Sequence, residues 1–344
     1  MCAASVPSSV ERECKLNAAP GFVLPAELFR SEGVELVPAA DLELDAVYHD
    51  TADLRLAREG VTLRHRRGEG PPRWTLKLPA GRTGLDGAAG LRRRELDVED
   101  PDGDPFGAPP ASLVELVTAY RRTAPLVPVA RVHTVRRRRR LVDSAGRDLG
   151  ELDDDEVSVL PVPGATGAAP AGGFREVEIE LAPGTPDHLL GRLVDRLRTV
   201  GAMPAEQVPK VVRALGPAAA APPDVPADRP GPQATAVERC RAALAEGTRA
   251  LIDADPGLRL GDDPGATERA RDAVARLLGA LEAFAEILPA AWRREVGAGL
   301  GSLAVALDRA GAGAGSPADA LSSREYPGLL DALVVGPWPD RAVR

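Results

Sequence analysis

Val10-Glu11-Arg12-Glu13-Cys14-Lys15-Leu16 is the stretch of this 344-residue chain whose reading decides the fold. Side chains in an extended strand alternate between two faces, so Glu11, Glu13 and Lys15 share one face and Arg12 and Cys14 the other. Alone, such a strand suits a solvent-facing edge. The same habit recurs along the chain: Arg64 and Arg66 share a face with His65 opposite, and Glu176, Glu178 and Glu180 stand opposite Val177, Ile179 and Leu181. Repetition across several strands points to a barrel whose outside is covered and whose inside is charged.

Charge turned inward is costly unless it is paired or used. Arginine and lysine grip polyphosphate oxygens, the guanidinium fork being suited to two-point contacts. Carboxylates on the same inner surface would repel that ligand unless divalent cations stood between them, and Mg²⁺ and Mn²⁺ favour such oxygen donors. Mixed signs therefore predict a metal–polyphosphate site. No GxxxxGK[ST] phosphate loop occurs, which argues against a P-loop fold.

The surrounding sequence supports strands. Gly60 to Arg66, Trp74 to Leu78, Leu91 to Val98, Val129 to Val142 and Phe174 to Leu181 are short segments bounded by Gly, Pro or Asp. Helical spacing appears over about Pro110 to Tyr120 and about Asp187 to Val200. Residues 217–235 are rich in Pro and Ala without periodicity and read as a stiffened linker. Beyond them, four helices are expected, over about 236–252, 266–288, 296–307 and 321–334. The expected organisation is an α+β chain: a barrel domain over 1–216, the linker, and a small all-α domain over 236–344. A boundary there predicts that a chain ending at Gly216 keeps the chemistry.

These residues resemble the CYTH family of triphosphate tunnel metalloenzymes. Glu11, Glu13 and Lys15 match its ExExK signature, and Tyr48 to Arg66 is similar to the stretch ending in paired arginines, here Arg64 and Arg66. WTLKLP supplies Lys77, RRREL supplies Arg94 with Glu95, and the basic strand supplies Arg136 with Arg138 on the same face. In ELDDDEVSV the preferred carboxylate is Asp155, with Asp153 second, and VPKVVRAL supplies Lys210. The resemblance covers about Ser9 to Leu215 and implies an eight-stranded antiparallel β-barrel tunnel. It also implies metal ligands Glu11, Glu13, Asp155, Glu176 and Glu178, and phosphate contacts Lys15, Arg64, Arg66, Lys77, Arg94, Arg136, Arg138 and Lys210. Glu11, Glu13, Lys77 and Arg136 are the catalytic set it implies, with Mg²⁺ or Mn²⁺ as cofactor. Inorganic triphosphate is the favoured substrate; thiamine triphosphatase, nucleoside triphosphatase and adenylate cyclase chemistry, or binding without turnover, are the alternatives.

The C-terminal stretches DDPGATERARDAVARLLGALEAF and LSSREYPGLLDALVVGPWP resemble part of a CHAD domain, a helical polyphosphate-binding module. Glu268 stands where that module carries histidine, Ala275 and Arg276 where it carries paired arginines, and Leu278 at another basic position, while Arg271 is kept. A shortened, degenerate CHAD-like domain is the reading, with packing or dimerisation as its other role and polyphosphate as a further candidate partner.

Composition bounds the rest. A net charge of −8 disfavours nucleic acid, although Arg136 to Arg140 is a basic run; in a strand its members divide between two faces. The three cysteines lack metal-ligand spacing and suggest a reducing compartment, and Cys14 should face outward from the tunnel as a small buried thiol. His49, His65, His133 and His188 show no zinc spacing. No apolar run approaches the roughly 20 residues that span a bilayer, and the N-terminus lacks a signal-like pattern; a cytoplasmic location is expected.

Overall fold

A computed structural model describes residues 8–79, 91–100, 102–163, 172–205, 208–226 and 229–337; the side chains of residues 8–11, 91, 92 and 187 lie outside that description. The Glu11 side chain is therefore outside the described residues, as are Trp338 and Pro339 of the CHAD-like stretch. The chain divides into two compact units, Met1–Pro110 with Leu126–Ala221 and Ala111–Pro125 with Pro222–Arg344.

The first unit is an antiparallel sheet of ten strands: β1 (Ser8–Ala18), β2 (Val34–Pro38), β3 (Leu42–Asp50), β4 (Thr62–Arg67), β5 (Arg73–Pro79), β6 (Leu91–Glu99), β7 (Val127–Asp143), β8 (Asp148–Leu160), β9 (Gly172–Leu181) and β10 (Met203–Pro204). Eight of them follow one another as β1-β6-β5-β4-β3-β7-β8-β9, and β9 returns to β1. That return is staggered. β1 bonds β6 along its first half, Ser8↔Leu96 to Glu13↔Leu91, and β9 along its second, Glu13↔Glu180 to Ala18↔Arg175. The two remaining strands extend the ends: β10 pairs with Leu16 and Asn17 of β1, and β2 pairs with β7 beyond the reach of β3.

Outside and inside are built from opposite strand faces. Cys14, Leu16, Val177, Ile179 and Leu181 pack outward beneath a helix over Asp187–Thr199, whose Leu189, Leu190, Leu193 and Leu197 face the sheet. Burial pushes the Cys14 thiol up, in keeping with the outward placement expected for it. The inner face is divided. Ala46, Tyr48, Ala130, Val132, Val157 and Val159 form an apolar inner end, filled by Val211, Val212 and Ala214 of a short helix over Lys210–Leu215. The other inner end carries charge.

The second unit is helical: Ala236–Leu260, Ala266–Ala283, Ala290–Gly311, Pro317–Ala320 and Tyr326–Val335, joined by Ala111–Leu116 and Thr118–Arg121. Thr235 and Glu238 close a capping box on the first of these, satisfying amides that a helix start leaves orphaned. Pro256 falls within that helix, which therefore runs past the end expected near Ile252. The 111–121 helices belong here although the β-rich sequence surrounds them. Arg122 bonds Asp331 at 2.8 Å and also Asp224, and the Thr123 amide donates to Asp331 at 3.2 Å. Within the stretch read as a linker, Ala219 packs into the inner apolar cluster of the first unit and Val225 is buried in the second, its carbonyl accepting from Arg249.

Candidate active site

The charged inner end encloses a cavity of about 250 Å³. Strand alternation delivers its walls. From β1 come Glu13 and Lys15, from β4 Thr62, Arg64 and Arg66, from β5 Arg73 and Lys77, and from β6 Arg93 and Glu95. β7 adds Arg136, β8 adds Glu151 and Asp153, β9 adds Glu178 and Glu180, and the short inner helix adds Lys210.

One wall is acidic and deep. Asp155, Glu176 and Glu178 converge, each offering a carboxylate oxygen within 4.8 Å of the others. Lys210, at the start of its helix, places Nζ 2.8 Å from all three carboxylates. Arg136 donates two parallel bonds of 2.8 Å to Asp155, lies 2.5 Å from Asp153 and reaches Glu178 at 3.1 Å. Lys15 pairs with Glu178 and lies 3.3 Å from Glu13, which also pairs with Arg93. Such charges tolerate burial because each is paired and hydrogen-bonded.

The pairing fixes protonation. Burial alone would raise Glu13, but Lys15 and then Arg93 outweigh it and hold the carboxyl down at about 2. The same contest leaves Glu178 and Asp155 ionised, with Lys15 and Lys210 respectively as the leading cations, while Lys210 is held well above its ordinary range by Asp155, Glu176 and Glu178 against burial. Asp153 goes the other way: burial raises it to about 7, Asp155 and Glu178 adding to the rise and Arg136 opposing it.

The opposite wall is basic. Burial, then the neighbouring Arg64, pulls Arg66 down to about 10. Arg64 donates to the Tyr48 hydroxyl at 3.3 Å, and Lys77 lies 2.9 Å from Glu95 across the β5–β6 pair. Crowded guanidiniums in one cavity are an anion site, and three converging carboxylates are an oxygen-donor site for a hard divalent cation. The three carboxylates are donors of the kind such a cation takes, and in this structure the Lys210 ammonium stands among them.

Of the residues singled out from the sequence, Glu13, Lys15, Arg64, Arg66, Lys77, Arg136, Glu178 and Lys210 line this cavity. Asp155 and Glu176 lie just behind it, bonded to Arg136, Lys210 and Arg213. Asp153, the second choice on β8, lines the cavity, whereas the preferred Asp155 joins the acidic trio. Arg138 bonds Glu151 at 2.7 Å near the open end. Arg94 is not brought to this surface. It stands opposite Leu78, whereas Lys77 faces Glu95, so Arg93 and Glu95 point inward. The run Arg92-Arg93-Arg94 gives no phase from sequence alone; the cross-strand partner supplies it. Sequence reasoning also left out Glu69, Arg73 and Glu151, while Glu180 was already legible from its shared face with Glu176 and Glu178.

The run of strands from β1 to β9 thus carries acidic and basic side chains on opposed inner walls. A family model for the CYTH domain matches residues 10–210, more than half of the sequence, so the chain belongs to the CYTH domain family, and a model for the CHAD domain matches residues 242–312. Two uncharacterised proteins of Mycobacterium tuberculosis, from strains CDC 1551 and H37Rv, are each 34% identical over 259 residues, covering 73% of this chain and 47% of their own length. The chain thus spans about half the length of the curated relatives it matches. Among solved structures, a candidate adenylate cyclase of Bacillus halodurans aligns with 17% identity and a TM-score of 0.39 over 61% of this chain and 99% of its own. A Hippeastrum protein described as having a dominant triphosphatase activity aligns with 15% identity and a TM-score of 0.36 over 61% and 98%. CYTH family members act on triphosphate substrates. No helix among the described residues is long and apolar enough to cross a membrane.

Proposed function

We propose that the chain hydrolyses a triphosphate with a divalent cation, Mg²⁺ or Mn²⁺, and that inorganic triphosphate is its substrate. The observation that carries this reading is one cavity with Glu178 on one wall, Asp155 and Glu176 converging with it just behind that wall, and Arg64, Arg66 and Lys77 on another. A cation held by Asp155, Glu176 and Glu178 would neutralise phosphate charge and polarise water. The chain's own residues supply the remainder. Arg64, Arg66, Lys77 and Lys15 grip phosphate oxygens, and Arg136 fixes the Asp155 and Glu178 carboxylates in place. Tyr48 orients Arg64 through its hydroxyl, and the helix over Lys210–Leu215 fills the apolar end, so reacting groups meet at the charged end. The simplest triphosphate suits a cavity whose described lining carries no aromatic ring besides Tyr48 on which a base could stack.

Lys210 favours one second reading, a polyphosphate- or nucleotide-binding protein without turnover. Its ammonium already satisfies all three acidic residues, so an anion could be held with no metal present. Phosphate release from inorganic triphosphate, ATP and thiamine triphosphate, each with Mg²⁺, Mn²⁺ or chelator, separates the two. Metal-dependent release from inorganic triphosphate supports the enzyme. Tight binding with no release from any substrate supports the binding protein.

A further inference from the structure

Glu69 lies in the turn between β4 and β5 and belongs to no signature of the inner face, yet its carboxylate lines the cavity. One oxygen is 2.8 Å from Arg66 and 3.4 Å from Arg73; the other is 3.4 Å from Arg138 of β7. Among the described residues, the ion pair of Arg66 is with Glu69 alone. An acid on a hairpin turn thus reaches across the open end and engages guanidiniums from three strands.

The backbone that carries this acid is anchored. Gly68 has φ 103°, and a Cβ there would stand 1.9 Å from the Glu43 carbonyl oxygen, so the turn lies against β3 as only glycine allows. Arg73 donates to the Glu69 carbonyl at 2.8 Å. The carboxylate itself sits at the end of a flexible side chain that is 28% exposed. Moving it off the arginines requires rotation of that side chain, with no movement of the strands.

Resting on the reading of this cavity as a triphosphate site, we propose that Glu69 is a built-in competitor of the substrate: its carboxylate occupies Arg66 and reaches Arg73 and Arg138, and a phosphate chain entering the open end must displace it. Carboxylate and phosphate oxygens accept from the same guanidinium fork, so the two exclude one another. Glu69 therefore lowers affinity for anions that make few other contacts and keeps the arginine wall neutralised between ligands.

The test is calorimetric titration of inorganic triphosphate into the full chain, once with chelator and once with Mg²⁺, for the parent, Glu69→Gln and Glu27→Gln. Glu27 is an exposed acid paired with Arg30 and does not line the cavity, so it controls for net charge. Because the ion pair is partly exposed, Glu69→Gln should tighten triphosphate binding by roughly fivefold, with a steeper dependence on salt, and leave the melting temperature nearly unchanged. Glu27→Gln should bind like the parent. Equal affinity in the parent and Glu69→Gln, weaker binding in Glu69→Gln, or an equal gain in Glu27→Gln overturns the competitor role and leaves the triphosphate reading standing. Absence of binding by every variant in both conditions overturns both.

Discussion

At the scale of single residues, pairing decides what each charge can do. Lys77 faces Glu95 from the neighbouring strand and lines the cavity, where a phosphate oxygen can compete with that carboxylate for its ammonium. Lys77→Ala should raise KM for inorganic triphosphate by roughly tenfold while changing kcat less, measured by steady-state phosphate release; an unchanged KM would remove Lys77 from the substrate contacts. Asp50 illustrates a structural carboxyl. It accepts from the amides of Thr51, Leu56 and Ala57 at 2.6, 2.8 and 2.9 Å, yet burial pushes it up to about 6. The folded chain then keeps a proton that the unfolded chain releases near its ordinary value of about 3.9, so this group's contribution to stability is full below about pH 4 and is lost as pH rises through about 6. Asp50→Asn should flatten that part of the denaturant-midpoint profile, and an identical slope in the variant would refute the assignment. Period-two alternation made Glu13, Lys15, Arg64, Arg66 and Glu178 legible in advance. It gives no phase for Arg94, matched through RRREL and standing opposite Leu78, because an unbroken arginine run hides it, and none for Glu69, because a turn residue has no periodicity to read.

At the scale of elements, each strand serves two environments at once. β9 sends Glu176, Glu178 and Glu180 inward and Val177, Ile179 and Leu181 outward beneath the helix over Asp187–Thr199. That division was visible in FREVEIEL, since neighbours of opposite character can share a strand only if its faces differ. The stagger of β1 between β6 and β9 was not visible, because register depends on hydrogen-bonding partners far away in sequence. Leu193 is fully buried in the outer layer. Leu193→Ala should cost about 2–5 kcal/mol in chemical denaturation, with the surviving folded fraction keeping its KM. A loss below about 1 kcal/mol would mean that this layer repacks or contributes little.

At the scale of the whole molecule, the two units are interlaced in sequence. The segment 111–125 leaves the first unit between β6 and β7 and buries Leu113, Leu116, Val117 and Ala119 within the second. A boundary at Gly216 made truncation look harmless; the structure changes that expectation, because composition could not show which helices pack together. A chain ending at Ala221 strands those apolar residues, so it should be less soluble and should melt at a lower temperature than the full chain. Replacing 111–125 by a short polar turn in the same truncation should restore solubility. Equal stability of the simple truncation, followed by circular dichroism, would show that the inserted helices do not need the second unit.

On the proposed function, one cavity joins a cation site to a polyphosphate grip. Phosphorus NMR of inorganic triphosphate incubated with the full chain tests it most directly, with Mg²⁺ or Mn²⁺ in parallel with chelator. Orthophosphate and pyrophosphate should appear together at equal rates with metal, and the triphosphate spectrum should stay unchanged with chelator. Intact triphosphate under every metal condition, or cleavage that persists undiminished in chelator, would contradict it.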